Sequence, residues 1–381
     1  MKYACLLLAG YVQSYERFDG DQVFRINDKT LDILKLESVL GETVDIWSHK
    51  IGAVDVRVPP AQLPRFKSWA AEQGFEPELY IKNVQSLMEN ETLRSKGSKQ
   101  LVGADHTKVE DIKDFNYTNY HTYEEIVDWT HQLCEQHRDI CKIVDFGLSF
   151  EGRQMVGMHI SAHPQGGSHH EHAFFMMAGI HAREWIAPAS TMAVTNMLLT
   201  NYKNGNKQER DILHNMDWYV LPVTNVDGYA FTWEENRMWR KTRTANTDSE
   251  CVGKDPNRNW ATQEWDSDVG SSSNPCSETF RGYEPMSEPC VHNVANTVRK
   301  IHETHPIKAM FDVHSYSQMW LYPRGYSAEP THNAGFLSKI GQFATGAIYD
   351  VAGTEFVYGS CYEVIYPATG ITVDYSVQES C

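Results

Sequence analysis

Hydrophobic positions along the chain fall into two periods and several unbroken runs. Residues 22–26 and 54–58 alternate apolar and polar side chains, the pattern of a strand with one buried face. Residues 29–40 and 60–74 carry apolar side chains at helical spacing, and the second helix should close at Gly74. Together, residues 17–88 read as a small α+β unit. A polar stretch, 89–114, follows, with Ser95-Lys-Gly-Ser-Lys99 at its centre. It has too little apolar surface to order itself and reads as a connecting segment. From Phe115 the pattern changes. Thr122-Tyr-Glu-Glu125 is a capping box opening a helix toward His137. Strands are expected at 142–146, 155–160, 218–222 and 308–313, with a buried run at 173–180 and helices at 188–202 and 291–302. Strands alternating with helices, several of them continuously apolar, predict an α/β sheet covered by helices on both faces.

Composition narrows this picture. With 381 residues, 41% of them hydrophobic, the chain can bury a large core, and its length favours two domains. A formal net charge of −16 argues against nucleic acid or an anionic membrane as partner, since phosphate binding needs clustered Lys and Arg. Met1-Lys2 followed by the apolar residues 3–12 reads as a secretory signal, cleaved near Ser14. No later segment reaches the roughly 20 apolar residues of a membrane span. Secretion permits disulfides. Of the 8 cysteines, Cys5 leaves with the signal, and an odd number remains. Cys251 and Cys276 flank a polar loop that a crosslink would hold, and Cys134 with Cys141 is a second candidate pair. Cys290, Cys361 and Cys381 stay unassigned. Asn90-Glu-Thr92 and Asn116-Tyr-Thr118 match the glycosylation acceptor pattern.

The chemistry gathers where apolar runs stop. Residues 173–180 end at His181-Ala-Arg-Glu184, and 309–313 end at His314. Two imidazoles and a carboxylate are a common ligand set for a catalytic zinc with one position open. His-x-x-Glu alone carries little weight, because the same spacing occurs at His121/Glu124 inside the capping box, where Glu124 is a first-turn helix acid. His181 and Glu184 differ in emerging from the end of a buried strand, where open α/β sheets bind ligands. His314 brings a third ligand from a second strand end, and Asp312 or a backbone carbonyl is a candidate to orient an imidazole. The clusters His169-His-Glu-His172 and His302/His305 read as solvated surface. Arg237, Arg240, Arg243 and Arg258 lie in loops around this centre, and guanidinium forks hold carboxylates bidentately.

These residues resemble the zinc metallocarboxypeptidases of the pancreatic or digestive A/B type. The resemblance rests on Gly179-Ile-His-Ala-Arg-Glu-Trp185, Asn225-Val-Asp-Gly-Tyr229, Arg237 to Arg243, Asp255-Pro-Asn-Arg-Asn-Trp260, His314-Ser-Tyr-Ser-Gln318 and Ile365-Tyr-Pro367. Val54-Asp-Val-Arg-Val-Pro59 also matches the family's activation domain. It implies a carboxypeptidase-like mixed sheet, preceded by an antiparallel α+β activation domain. It further implies one Zn²⁺ held by His181, Glu184 and His314, with Arg240 as the catalytic donor to the oxyanion. Asn257 and Arg258 would clamp a substrate's terminal carboxylate, assisted by Arg183 and Tyr366, the latter on a mobile loop. Tyr316, Arg237 and Asp255 would line or support the site. Val373 would floor the specificity pocket and favour aliphatic or aromatic C-terminal residues. A one-residue slip would put Asp374 there and favour basic ones.

The implied organisation is a signal at 1–14, an activation domain at 17–88, a connecting segment at 89–114 and the zinc carboxypeptidase domain at 115–381. Cleavage is expected at 94–108, with Lys108 preferred. The implied partners are peptide or protein C-termini and a trypsin-like activating protease, for a monomer secreted from the cell. Family members continue into a strand bearing a general-base glutamate and then a helix. Glu379 lies too early for that role, so the expectation is a C-terminally truncated member whose activity is in question. The competing reading is a non-catalytic form acting as an inhibitor or a C-terminus-binding protein.

Overall fold

The computed structural model describes residues 15–28, 45–50, 52–99, 112, 115–162 and 172–379. The signal at 1–14, the helix at 29–40, Lys108, the residues His169, His170 and Glu171, and Cys381 lie outside the described residues.

The first unit is an antiparallel sheet of β1 (Gln22–Ile26), β2 (Asp45–Lys50), β3 (Ala53–Val58) and β4 (Glu78–Ile81), ordered β2-β3-β1-β4. The alternation in β1 and β3 places Phe24, Ile26, Val54, Val56 and Val58 on one face. They pack there against Phe66, Trp69 and Ala70 of α1 (Leu63–Gln73). Helix α1 stops where expected, because Gly74 takes the left-handed φ of 76° that terminates helices without a Cβ clash.

The connecting segment differs from expectation. Helix α2 (Val84–Lys99) runs through the first part of the stretch read as unordered. The physical reason is tertiary. Val84 and Met88, one turn apart, bury themselves against Phe18 and Val23, with Trp47, Ile81 and Met238 alongside. Composition underrates a helix ordered by one narrow apolar edge.

In the second unit, α3 (Tyr123–Gln136) opens with the expected capping box. Thr122 Oγ1 accepts from the Glu125 amide, and the Glu125 side chain accepts from the Thr122 amide. Strands β5 (Cys141–Leu148), β6 (Gln154–Ile160), β7 (Ala173–Ala178), β8 (Asp217–Leu221) and β9 (Ile307–Val313) form a sheet ordered β5-β6-β8-β7-β9. The first two pairings are antiparallel and the last two parallel, so the sheet is mixed. Every residue of β7 is buried, since β8 and β9 flank it and helices cover the sheet. The helices are α4 (Ile186–Lys203), α5 (Lys207–Asn215), α6 (Val226–Glu234) and α7 (Pro289–Thr304). A smaller layer follows: β10 (Met319–Tyr322), α8 (Ala334–Ala352), β11 (Val357–Ser360), α9 (Cys361–Val364) and α10 (Thr372–Glu379), with β10 and β11 parallel.

Both candidate disulfides form, Cys134–Cys141 and Cys251–Cys276, while Cys290 and Cys361 are buried thiols. The reading of His302 and His305 as solvated surface is corrected. The two end and cap α7; His305 is buried beside Thr304 Oγ1, and His302 Nδ1 accepts from the Ile307 amide. They pin the turn from α7 into β9. His172 likewise leads into β7, its carbonyl accepting from the Asp217 amide.

Candidate functional site

The site follows from the register of two parallel strands. Ala178 of β7 pairs with Val313 of β9, so the chain leaves both strands side by side. After β7 the chain turns at Gly179, whose φ is +63°. A Cβ there would come within 3.1 Å of Pro188 Cγ, so this turn requires glycine. The turn aims His181 and Glu184 at His314, the first residue beyond β9.

His181 Nδ1 lies 2.9 Å from Glu184 Oε1, and His314 Nδ1 lies 3.0 Å from Glu184 Oε2. One ligand atom from each residue falls within 4.8 Å of the others, forming the one such metal-competent group among the described residues. His181 and Glu184 are buried, while His314 keeps 32% of its side chain exposed. A site closed on the protein side and open on one flank suits a metal that must meet a substrate. The far ring nitrogens also face carboxylates: His181 Nε2 lies 3.0 Å from Asp255 Oδ1, and His314 Nε2 lies 3.0 Å from Asp312 Oδ2. At His181 the hydrogen-bonded Asp255 carboxylate favours the tautomer that leaves Nδ1 free to ligate. Two nitrogens and a carboxylate oxygen therefore fit zinc in donor type, number and support.

The charges balance inward. Burial alone would raise the Glu184 pKa, but the imidazoles of His181 and His314 hold it well below the usual carboxylate range. Burial opposes the charged form of His314, and the Asp312 and Glu184 carboxylates overcome it, raising its pKa. Asp255 is fully buried, and Arg240 with His181 and Arg258 keeps it ionised.

Beside the metal-type cluster, Arg240 Nη2 donates to Asp255 Oδ2 at 2.7 Å. Arg258 donates to the Gly270 carbonyl, the Asn257 carbonyl and, at 2.7 Å, the Tyr366 hydroxyl. Asn257 Oδ1 accepts from the Thr372 amide and hydroxyl, and Asn257 Nδ2 lies 3.4 Å from His314 Nε2. Asn257, Arg258 and Tyr366 thus form one group adjoining the ligands. Val373 packs against the cluster of Cys361, Ala368 and Ile371, whereas both oxygens of buried Asp374 accept from the Gly325 amide.

Arg183, Arg237 and Tyr316 meet the first unit. Arg183 donates to Asp45 at 2.7 and 3.1 Å. Arg237 grips Glu91 at 2.8 and 3.2 Å while lying 3.6 Å over the Trp185 ring. The Tyr316 hydroxyl donates to Asp55 at 2.7 Å, and Ser48 bonds Ser317 at 2.6 Å. Burial works against Asp45, yet Arg183 and Arg57 bring its pKa down to about 2. These acids escaped the sequence reading because each has its partner more than 100 positions away. A cavity of about 240 Å³ remains between the units, lined by Trp47, Met88, Arg183, Glu184, Arg240 and Tyr316 among others.

Residues 126–381 match the zinc carboxypeptidase family, and residues 25–91 match the carboxypeptidase activation peptide. Carboxypeptidase A5 of Macaca fascicularis is 37% identical over 94% of this chain and 80% of that protein. Carboxypeptidase A1 of Rattus norvegicus is 36% identical over 98% of this chain and 87% of its own length. Among solved structures, carboxypeptidase A from Helicoverpa armigera superposes with a TM-score of 0.82 at 27% identity, covering 96% of this chain and 88% of that one. Thrombin activatable fibrinolysis inhibitor superposes at 0.81 and 28% identity, covering 95% of this chain and 88% of that one. With His181, Glu184 and His314 gathered at two strand ends beneath an antiparallel N-terminal sheet, the chain belongs to the zinc carboxypeptidases, as a metallocarboxypeptidase preceded by its activation peptide.

Proposed function

We propose that the chain is a secreted zymogen that removes single residues from peptide C-termini, with a preference for aliphatic or aromatic ones. The observation that carries this reading is the adjacency of the His181–Glu184–His314 group to Asn257, Arg258 and Tyr366. A ligand set that activates a carbonyl beside an arginine built for carboxylates selects the last peptide bond. In this reading His181, Glu184 and His314 hold one zinc ion. Bound there, the ion supplies Lewis acidity at the scissile bond.

The protein's own groups do the rest. Arg258 and Asn257 fix the terminal carboxylate, and Tyr366, already bonded to Arg258, closes that end. Arg240 donates to the oxygen on which charge develops, and Asp255 keeps that guanidinium aimed. Arg183 and Tyr316 become available to substrate once Asp45 and Asp55 leave them. Val373 gives the specificity pocket an apolar floor. The tie between Asp374 and the Gly325 amide supports that register over the slipped one. Cutting within 94–108 by a trypsin-like protease severs the link between the activation domain and the enzyme, with Lys108 as the expected site.

The second reading, a non-catalytic inhibitor, is favoured by one observation. Asp45, Asp55 and Glu91 together reach into the cleft, so a free activation domain carries contacts able to cover another member's site. After proteolytic activation, turnover of peptides ending in free Phe, Leu or Arg should be compared with amidated counterparts. The exopeptidase reading expects free Phe and Leu peptides to be cut and amidated ones spared. Equal turnover of both forms would reject it. No turnover, with inhibition of an active family member, would favour the second reading.

A further inference from the structure

The activation domain is held to the enzyme by a feature that neither the ligand cluster nor the carboxylate clamp requires. Residues 15–18 bond to both units. Toward the enzyme, the Tyr15 hydroxyl donates to the Thr232 carbonyl at 3.2 Å, and the Glu16 amide donates to the Glu235 carbonyl at 2.7 Å. Asn236 Nδ2 donates to the Glu16 carboxylate. Toward the activation domain, Arg17 pairs with Glu89 of α2 at 3.0 Å, and the Phe18 amide donates to Gln85 Oε1 at 3.0 Å. The Phe18 ring is 4% exposed, buried among Val23, Val84 and Met88, with Met238 of the enzyme against the same cluster.

The chemistry at the enzyme end explains why a strap binds there. Helix α6 ends at Glu234, and the last carbonyls of a helix have no partner within it. Thr232 and Glu235 offer two such carbonyls at the chain's exit from α6, immediately before Arg237, which is clasped by Glu91. An extended segment presenting an amide and a phenol fills them. Two consecutive residues thus bind the enzyme and the next two the activation domain, Arg17 on its surface and Phe18 in its core, an arrangement that resists shear between the units.

We propose that Tyr15–Phe18 is a strap whose docking surface is the C-terminal end of α6. Cutting the connecting segment then leaves the activation domain bound until the strap peels away. The contacts of Asp45, Asp55 and Glu91 block the cleft, and the strap governs how long the severed domain stays.

The test reads association and not turnover, so it stands whether or not the chain proves catalytic. A recognition sequence for a specific protease is placed at 101–107 of the full-length chain, which is then cut. Dissociation of the two fragments is followed by size exclusion and by the rate at which labelled fragment exchanges. Glu16→Pro removes the amide donor to Glu235, and Tyr15→Phe removes the phenol donor to Thr232. Removing both should speed fragment exchange by roughly 10-fold or more, about a net hydrogen bond apiece. Asn236→Ala, on the enzyme's own surface, should speed it by a smaller factor, which guards against misfolding of the N-terminal variants. Exchange at the wild-type rate in the double variant and in Asn236→Ala would overturn the proposal.

Discussion

Asp255 accepts from His181 Nε2 with one carboxylate oxygen and from Arg240 Nη2 with the other, so the ligand group and the nearest guanidinium share one buried anchor. That coupling was invisible in the sequence, where Asp255 was only the first residue of a motif. His181 and His314 were legible because each follows directly on an apolar run whose end the sequence marks, and Glu184 because it lies three residues beyond the first of them. Asp374 behaves differently. Burial pushes its carboxyl up to about 6, although the Gly325 and Tyr326 amides favour its charge. A carboxyl raised in this way is best tolerated while neutral. Its contribution to stability is greatest below the unfolded value of about 4 and falls as pH rises through about 6. Wild-type protein should therefore lose on the order of 2 kcal/mol from this group between pH 4 and pH 7. Asp374→Asn, which keeps an acceptor for the Gly325 amide, should not lose it. Denaturant midpoints of both proteins across that range provide the check, and parallel pH profiles would refute the assignment.

At the scale of elements, the capping box was legible because its chemistry is local: Thr122 and Glu125 satisfy each other's amides across a single turn. Thr122→Ala should destabilise the second unit by about 1 kcal/mol, measured by thermal or denaturant unfolding. A change within a few tenths would show that the cap is dispensable. Helix α7 was legible for a different reason, since Val291, Val294, Ala295, Val298 and Ile301 mark one buried face. Helix α8 was not anticipated. Phe336, Phe343 and Val351 are exposed on it, so its apolar residues do not separate inside from outside. Helix α2 was missed because its order comes from Val84 and Met88 meeting Phe18, a contact the local sequence does not encode.

At the scale of the whole molecule, two units of opposite design meet across the cleft. The enzyme presents Arg183, Arg237 and Tyr316, and the activation domain answers with Asp45, Glu91 and Asp55. The α/β class and the order of the two units could be read from period and composition, whereas this complementarity could not, because its members are distant in sequence. Asp45→Asn combined with Glu91→Gln leaves two guanidinium groups facing neutral amides under a partly dry interface. The intact double variant should show faster amide exchange in β2 and β3, by roughly 10-fold or more, as docking weakens by more than 1 kcal/mol. Unchanged exchange would mean that the apolar contacts around Met238 hold the interface without these ion pairs.

The proposed chemistry requires three side chains to form one metal centre. Native mass spectrometry of the purified full-length chain, with elemental analysis at neutral pH, measures this without recourse to activity. The expected result is one zinc per chain, lost in His181→Ala, Glu184→Gln and His314→Ala while each variant keeps wild-type secondary structure. A metal-free wild type, or three folded variants that retain their zinc, would contradict it.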